Sequence, residues 1–209
     1  MNRPTQLAIH LHRQLNRIFA RERGVEPRPA RVHDRRRCAQ LLPKLLGDVR
    51  GVGRHQLHER PHLVEVWRAI EHADVVIHAG DWVEERLLDE FLRRSRCLVG
   101  VRGNNDRDGL RDRLPEIARI EIEGVRFGVV HETGPAEGRE ERCSARFGDL
   151  DVLVFGHSHI PWDTMSDGGP RLLNPGSPTD RRRQPHCTYL TITVDDGRLE
   201  EVSLHAIPR

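Results

Sequence analysis

Between Asp74 and Val101 the chain alternates a short apolar run, an amphipathic run and a second apolar run, and this constrains the fold more than any other feature of the sequence. Asp74 to Ala79 (DVVIHA) predicts a buried strand, Val83 to Arg94 a helix, and Cys97 to Val101 another buried strand. Such alternation marks a parallel sheet with crossover helices. Upstream, Pro61 suits a first helical turn, and Leu63, Val66, Trp67 and Ile70 form a helical stripe. Downstream the pattern predicts antiparallel pairing. Ile117 to Ile122 and Val125 to His131 flank Glu123-Gly124, Val152 to Phe155 is a short buried strand, and Cys187 to Val194 meets Arg198 to Leu204 across Asp195-Asp196-Gly197. Two packed sheets with helices outside are the expected architecture.

Each of these strands runs into polar residues that a packed core does not require. DVVIHA ends in Gly80-Asp81, and CLVGV in Arg102-Gly103-Asn104-Asn105-Asp106. VRFGVV ends in His131, and VLVF in Gly156-His157-Ser158-His159. Ligands bind open α/β sheets at the carboxyl ends of strands. Oxygen and imidazole donors without cysteine suit a divalent metal such as Mn, Ni, Fe, Zn or Mg and argue against a structural zinc cage. His157 and His159 cannot point the same way from a regular element, but a tight loop opened by Gly156 lets them diverge towards neighbouring ions. A carboxylate such as Asp81 can bridge two cations, and two cations can hold a hydroxide for in-line attack at phosphorus.

Taken singly, these residues have plainer explanations. Asp81 reads as a helix N-cap, Asn104 to Asp106 as a turn, and His131 as a satisfied strand-end histidine. His78 reads as core, Asn174 to Ser177 as a β-turn, and Arg181-Arg182-Arg183 as a solvated face. All five strand-end motifs occurring in order outweigh these readings. Gly80-Asp81, Gly103-Asn104-Asn105-Asp106, Val130-His131, Gly156 to His159 and Asn174 to Ser177 together resemble the calcineurin-like metallophosphoesterases, in particular the small YfcE-type phosphodiesterases.

The resemblance covers about residues 61 to 209 and implies an α/β/β/α sandwich. It implies that Asp81 bridges two divalent ions, that Asn104, His131 and His157 complete one, and that His159 binds the other. Asn105 and Asp106 are the candidate catalytic side chains, and the substrate is a small phosphodiester or phosphomonoester. Asn105 stands where the family can carry a histidine that protonates the leaving group, and Glu132 stands where glycine is usual. The family's first motif, D-x-H after the first strand, has no match, so the first strand itself is expected to be missing. The nearest text, Asp48-Val49-Arg50, puts arginine where imidazole is needed, and arginine has no lone pair to give. A catalytically inactive, protein-binding scaffold is the rival reading.

Composition enters mainly through residues 1 to 60, which carry 14 basic and 5 acidic side chains, a net +9, against 20 and 27 in the remainder, a net -7. A basic segment can neutralise phosphates, but with only Phe19 for base stacking it supports nucleic-acid binding weakly. Thr5 to Arg23 can be written as a helix with Leu7, Leu11, Leu15 and Phe19 on one face. Leu41 to Val49 reads as a short helix, and Gly24 to Arg37 as loop or disorder. The abrupt loss of pattern before Pro61 suggests a segment read out of frame with the rest. No apolar stretch reaches the roughly 18 to 20 residues of a membrane span. Cys38, Cys97, Cys143 and Cys187 lack metal or disulfide spacing, and a cytoplasmic address is expected.

Overall fold

The structure is a computed structural model and describes residues 5–10, 30–31, 63–107 and 109–208. In chain order the strands are β1 (Thr5–His10), β2 (Ala30–Arg31), β3 (Val75–His78), β4 (Leu98–Gly100), β5 (Ile117–Ile122), β6 (Val125–Val130), β7 (Val152–Val154), β8 (Trp162–Met165), β9 (Arg171–Asn174), β10 (Cys187–Asp195) and β11 (Arg198–Ile207). The helices are α1 (Val64–His72), α2 (Glu85–Arg94), α3 (Gly109–Arg113) and α4 (Arg139–Phe147). One sheet has the order β11-β10-β1-β3-β4 and the other β2-β5-β6-β7-β9-β8.

The period-2 pattern of the strands separates the layers. Val75 and Ile77 point into the core between the sheets with Phe127, Val129, Val152, Val154 and Ile192. Val76, between them, points outward into a second cluster with Val66, Trp67 and Ile70 of α1 and Leu87, Leu88 and Phe91 of α2. On the far side, Cys143 and Phe147 of α4 pack on Leu153, Phe155 and Leu172. The result is the expected α/β/β/α sandwich. Arg94 joins the two outer helices, its guanidinium lying 4.6 Å from the Trp67 ring centroid while it pairs with Glu90 and Glu71.

The structure corrects three expectations. Thr5–His10 is a strand and not the start of a helix, and the first strand is therefore present, parallel to β3 and antiparallel to β10. Leu7 is buried in the core between the sheets. The segment satisfies the helical and the strand period equally. The backbone groups that β3 and β10 offer to it decide the outcome, because unpaired edges inside a sheet are costly. The second half is also mixed, since β7 runs parallel to both β6 and β9. Finally, β8 and β9 form an antiparallel pair that the sequence pattern did not reveal. The readings for Leu41 to Val49, for Asp48 and for most of the first 60 residues lie outside the described residues.

The two foreseen hairpins form with the backbone they require. Glu123 and Gly124 have φ of 46° and 86°, and Asp196 and Gly197 have 43° and 76°, so both central residues of each turn are left-handed, matching the twist of the flanking strands. Among the described residues Cys97, Cys143 and Cys187 form no disulfide with one another, and no helix is long and apolar enough to cross a membrane. His78 is fully buried and stacked on Trp82 at 3.7 Å, as its core assignment expects.

Candidate metal centre

Parallel strands in both sheets deliver their carboxyl ends to one place. β3 delivers Asp81, β4 leads to Asn104, β6 to His131 and β7 to His157. Asp81, His131 and His157 each offer a donor atom, and all three lie within 4.8 Å of one another. His131 Nε2 is 3.3 Å from Asp81 Oδ1, 2.9 Å from Asn104 Oδ1 and 3.3 Å from His157 Nδ1, and His157 Nδ1 is 3.0 Å from Asn104 Oδ1. Donor atoms around one ion with bonds of about 2.0 to 2.3 Å are spaced roughly 2.8 to 3.3 Å apart when adjacent ligands meet at right angles. The observed spacings fit such a shell.

The donor chemistry makes the same demand. The Nδ1 of His131 lies 2.7 Å from the Ala79 carbonyl, which only accepts, so Nδ1 carries a proton and Nε2 is the ring atom turned inward. Nε2 faces the amide oxygen of Asn104 and a carboxylate oxygen of Asp81. Two oxygens and a ring nitrogen this close call for a positive centre, a proton on Nε2 or a metal ion. A divalent cation fits this set.

The loops that carry the donors are conformationally costly. Asp81, Val83, His157 and His159 all have positive φ, from 59° to 67°, a region that costs a non-glycine residue roughly 1 to 2 kcal/mol and is rare for a β-branched one. Two glycines let the loops approach each other. A Cβ on Gly80 would stand 2.7 Å from His131 Nδ1, and one on Gly103 would stand 2.2 Å from the Asp81 nitrogen and 2.4 Å from its Oδ1.

Asn105 and Asp106 hold this geometry in place. The backbone N–H of Asn105 donates to Asp81 Oδ1 (3.0 Å), and its Nδ2 to Asp81 Oδ2 (2.8 Å). Buried Asp106 accepts from the amides of Trp82 (2.5 Å) and Val83 (3.0 Å) on Oδ1 and of Gly103 (2.6 Å) on Oδ2, tying the two strand-end loops together. Burial raises its pKa above the ordinary carboxylate value, against the lowering effect of these three amides.

His159 is buried beside this cluster. Its Nδ1 donates to the Asp180 carbonyl at 3.1 Å and lies 3.3 Å from Asp180 Oδ2. Its Nε2 is buried with no hydrogen-bond partner among the described residues. Burial lowers the pKa of the ring and favours its neutral form, while Asp180 and Asp81 pull the other way. Asp180 was not singled out from the sequence, and its position after Asn174 to Ser177 in a Thr-Asp-Arg run gave no signal. Asn174 has a clearer part than the turn reading suggests. Its Nδ2 donates to the Gly156 carbonyl and Ser158 Oγ while its Oδ1 accepts from the Gly176 amide, which clamps the loop carrying His157 and His159. Glu132 reaches only to 4.0 Å from His157 Nε2.

Residues 54–197 match the calcineurin-like phosphoesterase superfamily domain. The chain belongs to that superfamily. A probable metallophosphoesterase of Mycoplasma pneumoniae is 31% identical over 151 residues, covering 66% of this chain and 87% of that protein. A phosphodiesterase of Methanocaldococcus jannaschii is 29% identical over 147 residues, covering 62% and 81%. Among solved structures, a conserved uncharacterized protein of Streptococcus pneumoniae, a predicted phosphoesterase, superposes with a TM-score of 0.59 at 16% identity, covering 99% of this chain and 91% of the other. Vps29 of Entamoeba histolytica complexed with zinc superposes with a TM-score of 0.58 at 17% identity, covering 97% and 98%. The family match and the two sequence relatives are consistent with the YfcE-type phosphoesterase branch, and the solved structures show the sandwich fold.

Proposed function

We propose that this calcineurin-like phosphoesterase hydrolyses phosphodiesters with divalent metal held at the strand-end cluster. Asp81, Asn104, His131 and His157 would hold one ion, and Asp81 with His159 would offer ligands to a second. The observation that carries the reading is the convergence of potential metal donors of Asp81, Asn104 and His131 at 2.9 to 3.3 Å. When bound, divalent ions supply Lewis-acid stabilisation of phosphoryl charge and a water nucleophile that ionises near neutral pH. The chain's own residues fix where that happens. Ala79 sets the His131 tautomer, Asn105 and Asp106 orient Asp81 and its loop, and Asp180 leaves the His159 Nε2 free to ligate.

Asn105 cannot protonate a leaving group near neutral pH, so the reading favours esters whose leaving group departs as an anion, such as aryl phosphodiesters. The D-x-H motif has no match and the residues after His10 of β1 lie outside the described ones, so among the described residues the ion at His159 has fewer ligands than the one at His131. Manganese is a suitable test ion, and a cytoplasmic address suits cysteines without disulfide or metal spacing.

The test is manganese content together with hydrolysis of bis(4-nitrophenyl) phosphate by metal-loaded protein. At least one tightly held ion per chain is expected, with slow turnover that His157→Ala abolishes. The unmatched D-x-H motif favours a second reading, a metal-free scaffold. Protein that holds no manganese and hydrolyses nothing would establish that reading instead.

A further inference from the structure

A cleft of about 820 Å³ opens beside the donor cluster, and Asn104 and His131 are among its lining residues. Its apolar lining comes from Ile117, Val130 and Phe147, and four guanidinium groups, Arg102, Arg111, Arg142 and Arg146, share it with two carboxylates, Glu116 and Glu132. Four positive against two negative charges leave a local surplus of two, in a chain whose residues after position 60 carry a net -7. The surplus is therefore a local feature and does not follow the background charge.

The arginines differ in what they have left to give. Arg102 pairs with Glu116 at 2.8 Å, a solvent-accessible contact that a ligand anion can replace. Arg142 points its donors at the carbonyls of Thr133, Pro135 and Glu137 and holds that loop. Arg111 uses Nε on the Asp106 carbonyl at 3.0 Å, and the Arg146 guanidinium lies 5.0 Å from the Phe147 ring centroid. Among the described residues no carboxylate pairs with Arg111, Arg142 or Arg146. The terminal nitrogens of Arg111 and the fork of Arg146 are thus available at an apolar wall, next to the place where a scissile phosphate would bind.

A simple diester has one negative charge, and the metal cluster already meets it. We infer that this cleft receives an ester arm bearing an apolar ring and a second phosphate, so that the preferred substrate is a phosphodiester of a nucleoside that carries another phosphate. Arg111 and Arg146 bind the second phosphate by charge-assisted hydrogen bonds, and Ile117 and Phe147 contact the ring. This inference rests on the phosphodiesterase reading for the reaction but not for the binding preference.

Two measurements separate the two claims. Manganese-loaded protein is given the 4-nitrophenyl ester of thymidine 5′-phosphate with and without a 3′-phosphate. In parallel, the affinities of thymidine 3′,5′-bisphosphate and thymidine 5′-phosphate are measured by calorimetry. The extra phosphate is expected to raise kcat/KM and affinity about tenfold, the effect of one charge-assisted contact of about 1.4 kcal/mol. Arg111→Gln combined with Arg146→Gln should erase that ratio, whereas Arg68→Gln, a charge loss on α1, should preserve it. Equal affinities for the two nucleotides, or a preference that survives the double substitution, would overturn the inference. Preferential binding without hydrolysis of either ester would uphold the cleft and refute the phosphodiesterase reading.

Discussion

Gly103→Ala tests whether the loop approach around Asp81 is required for metal binding. The new Cβ would lie 2.2 Å from the Asp81 nitrogen, 2.4 Å from its Oδ1 and 2.9 Å from its Cα, where real Cβ contacts essentially never fall below 3.0 Å. Relief needs a displacement of roughly 0.8 Å, and most of the opposing atoms are backbone, so no flexible side-chain tip can absorb it. Asp81 is also tethered by two hydrogen bonds from Asn105 and cannot retreat without breaking them. Metal ligands tolerate about 0.2 Å of misplacement, so the shift is some four times too large. Overpacking of this kind costs about 1 to 3 kcal/mol, which lowers Tm by roughly 2 to 12 °C in a domain of this size. Manganese affinity should fall by about 10- to 100-fold, the range for disturbed ligand support. Calorimetric titration with manganese and a melting curve of the apo protein measure the two effects separately. Gly168→Ala is the control, because Gly168 has φ of 62° with nothing near its absent Cβ and should lower Tm without touching metal affinity. If Gly103→Ala binds manganese as tightly as the parent protein, the argument that close loop approach builds the site is wrong.

Asn174→Ala should weaken manganese binding by about tenfold, by freeing the loop that carries His157 and His159, while circular dichroism shows the fold kept. Asp180→Asn should weaken only the ion at His159, since it leaves the His131 cluster intact; a titration that changes for the tighter ion instead would contradict this. Arg126 hydrogen-bonds Asp151 and holds its pKa below 3.8. The stabilisation from a depressed carboxylate pKa is present above the unfolded value and lost as pH falls through the folded one. The Tm difference between Arg126→Gln and the parent protein should therefore be full at neutral pH and vanish well below pH 3.8, and a difference that persists in strong acid would refute the assignment.

How much of this could be read from the sequence depended on whether local pattern and tertiary demand agreed. β3, β4, β6 and β7 are apolar runs bounded by glycine or polar residues, so their existence and the donors at their ends were legible together. β1 was not, because Thr5 to His10 fits two periods and only the neighbouring strands decide between them. β8 and β9 are four residues each, too short for any period to register. Asp180 was invisible for a different reason. Its contact with His159 spans 21 residues of irregular chain, and no repeat or spacing rule links the two.

The left-handed residues explain why the site has its form. A left-handed conformation at Asp81, Val83, His157 or His159 offers no local advantage, so each must be imposed by bonds made elsewhere. Those bonds can be identified. Asp106 draws in the amides of Trp82 and Val83, Asn174 grips Gly156 and Ser158, and the Asp180 backbone holds His159. Each holder is polar, and all but the half-buried Asp180 are buried; none would improve a core. Their hydrogen bonds oppose a cost of roughly 1 to 2 kcal/mol per strained residue, and what they secure is the convergence of potential metal donors. A chain selected for stability alone would relax these loops. The strained loops and their polar holders are therefore a sign of ligand binding that is independent of the motifs, and it points to Asp81, His157 and His159.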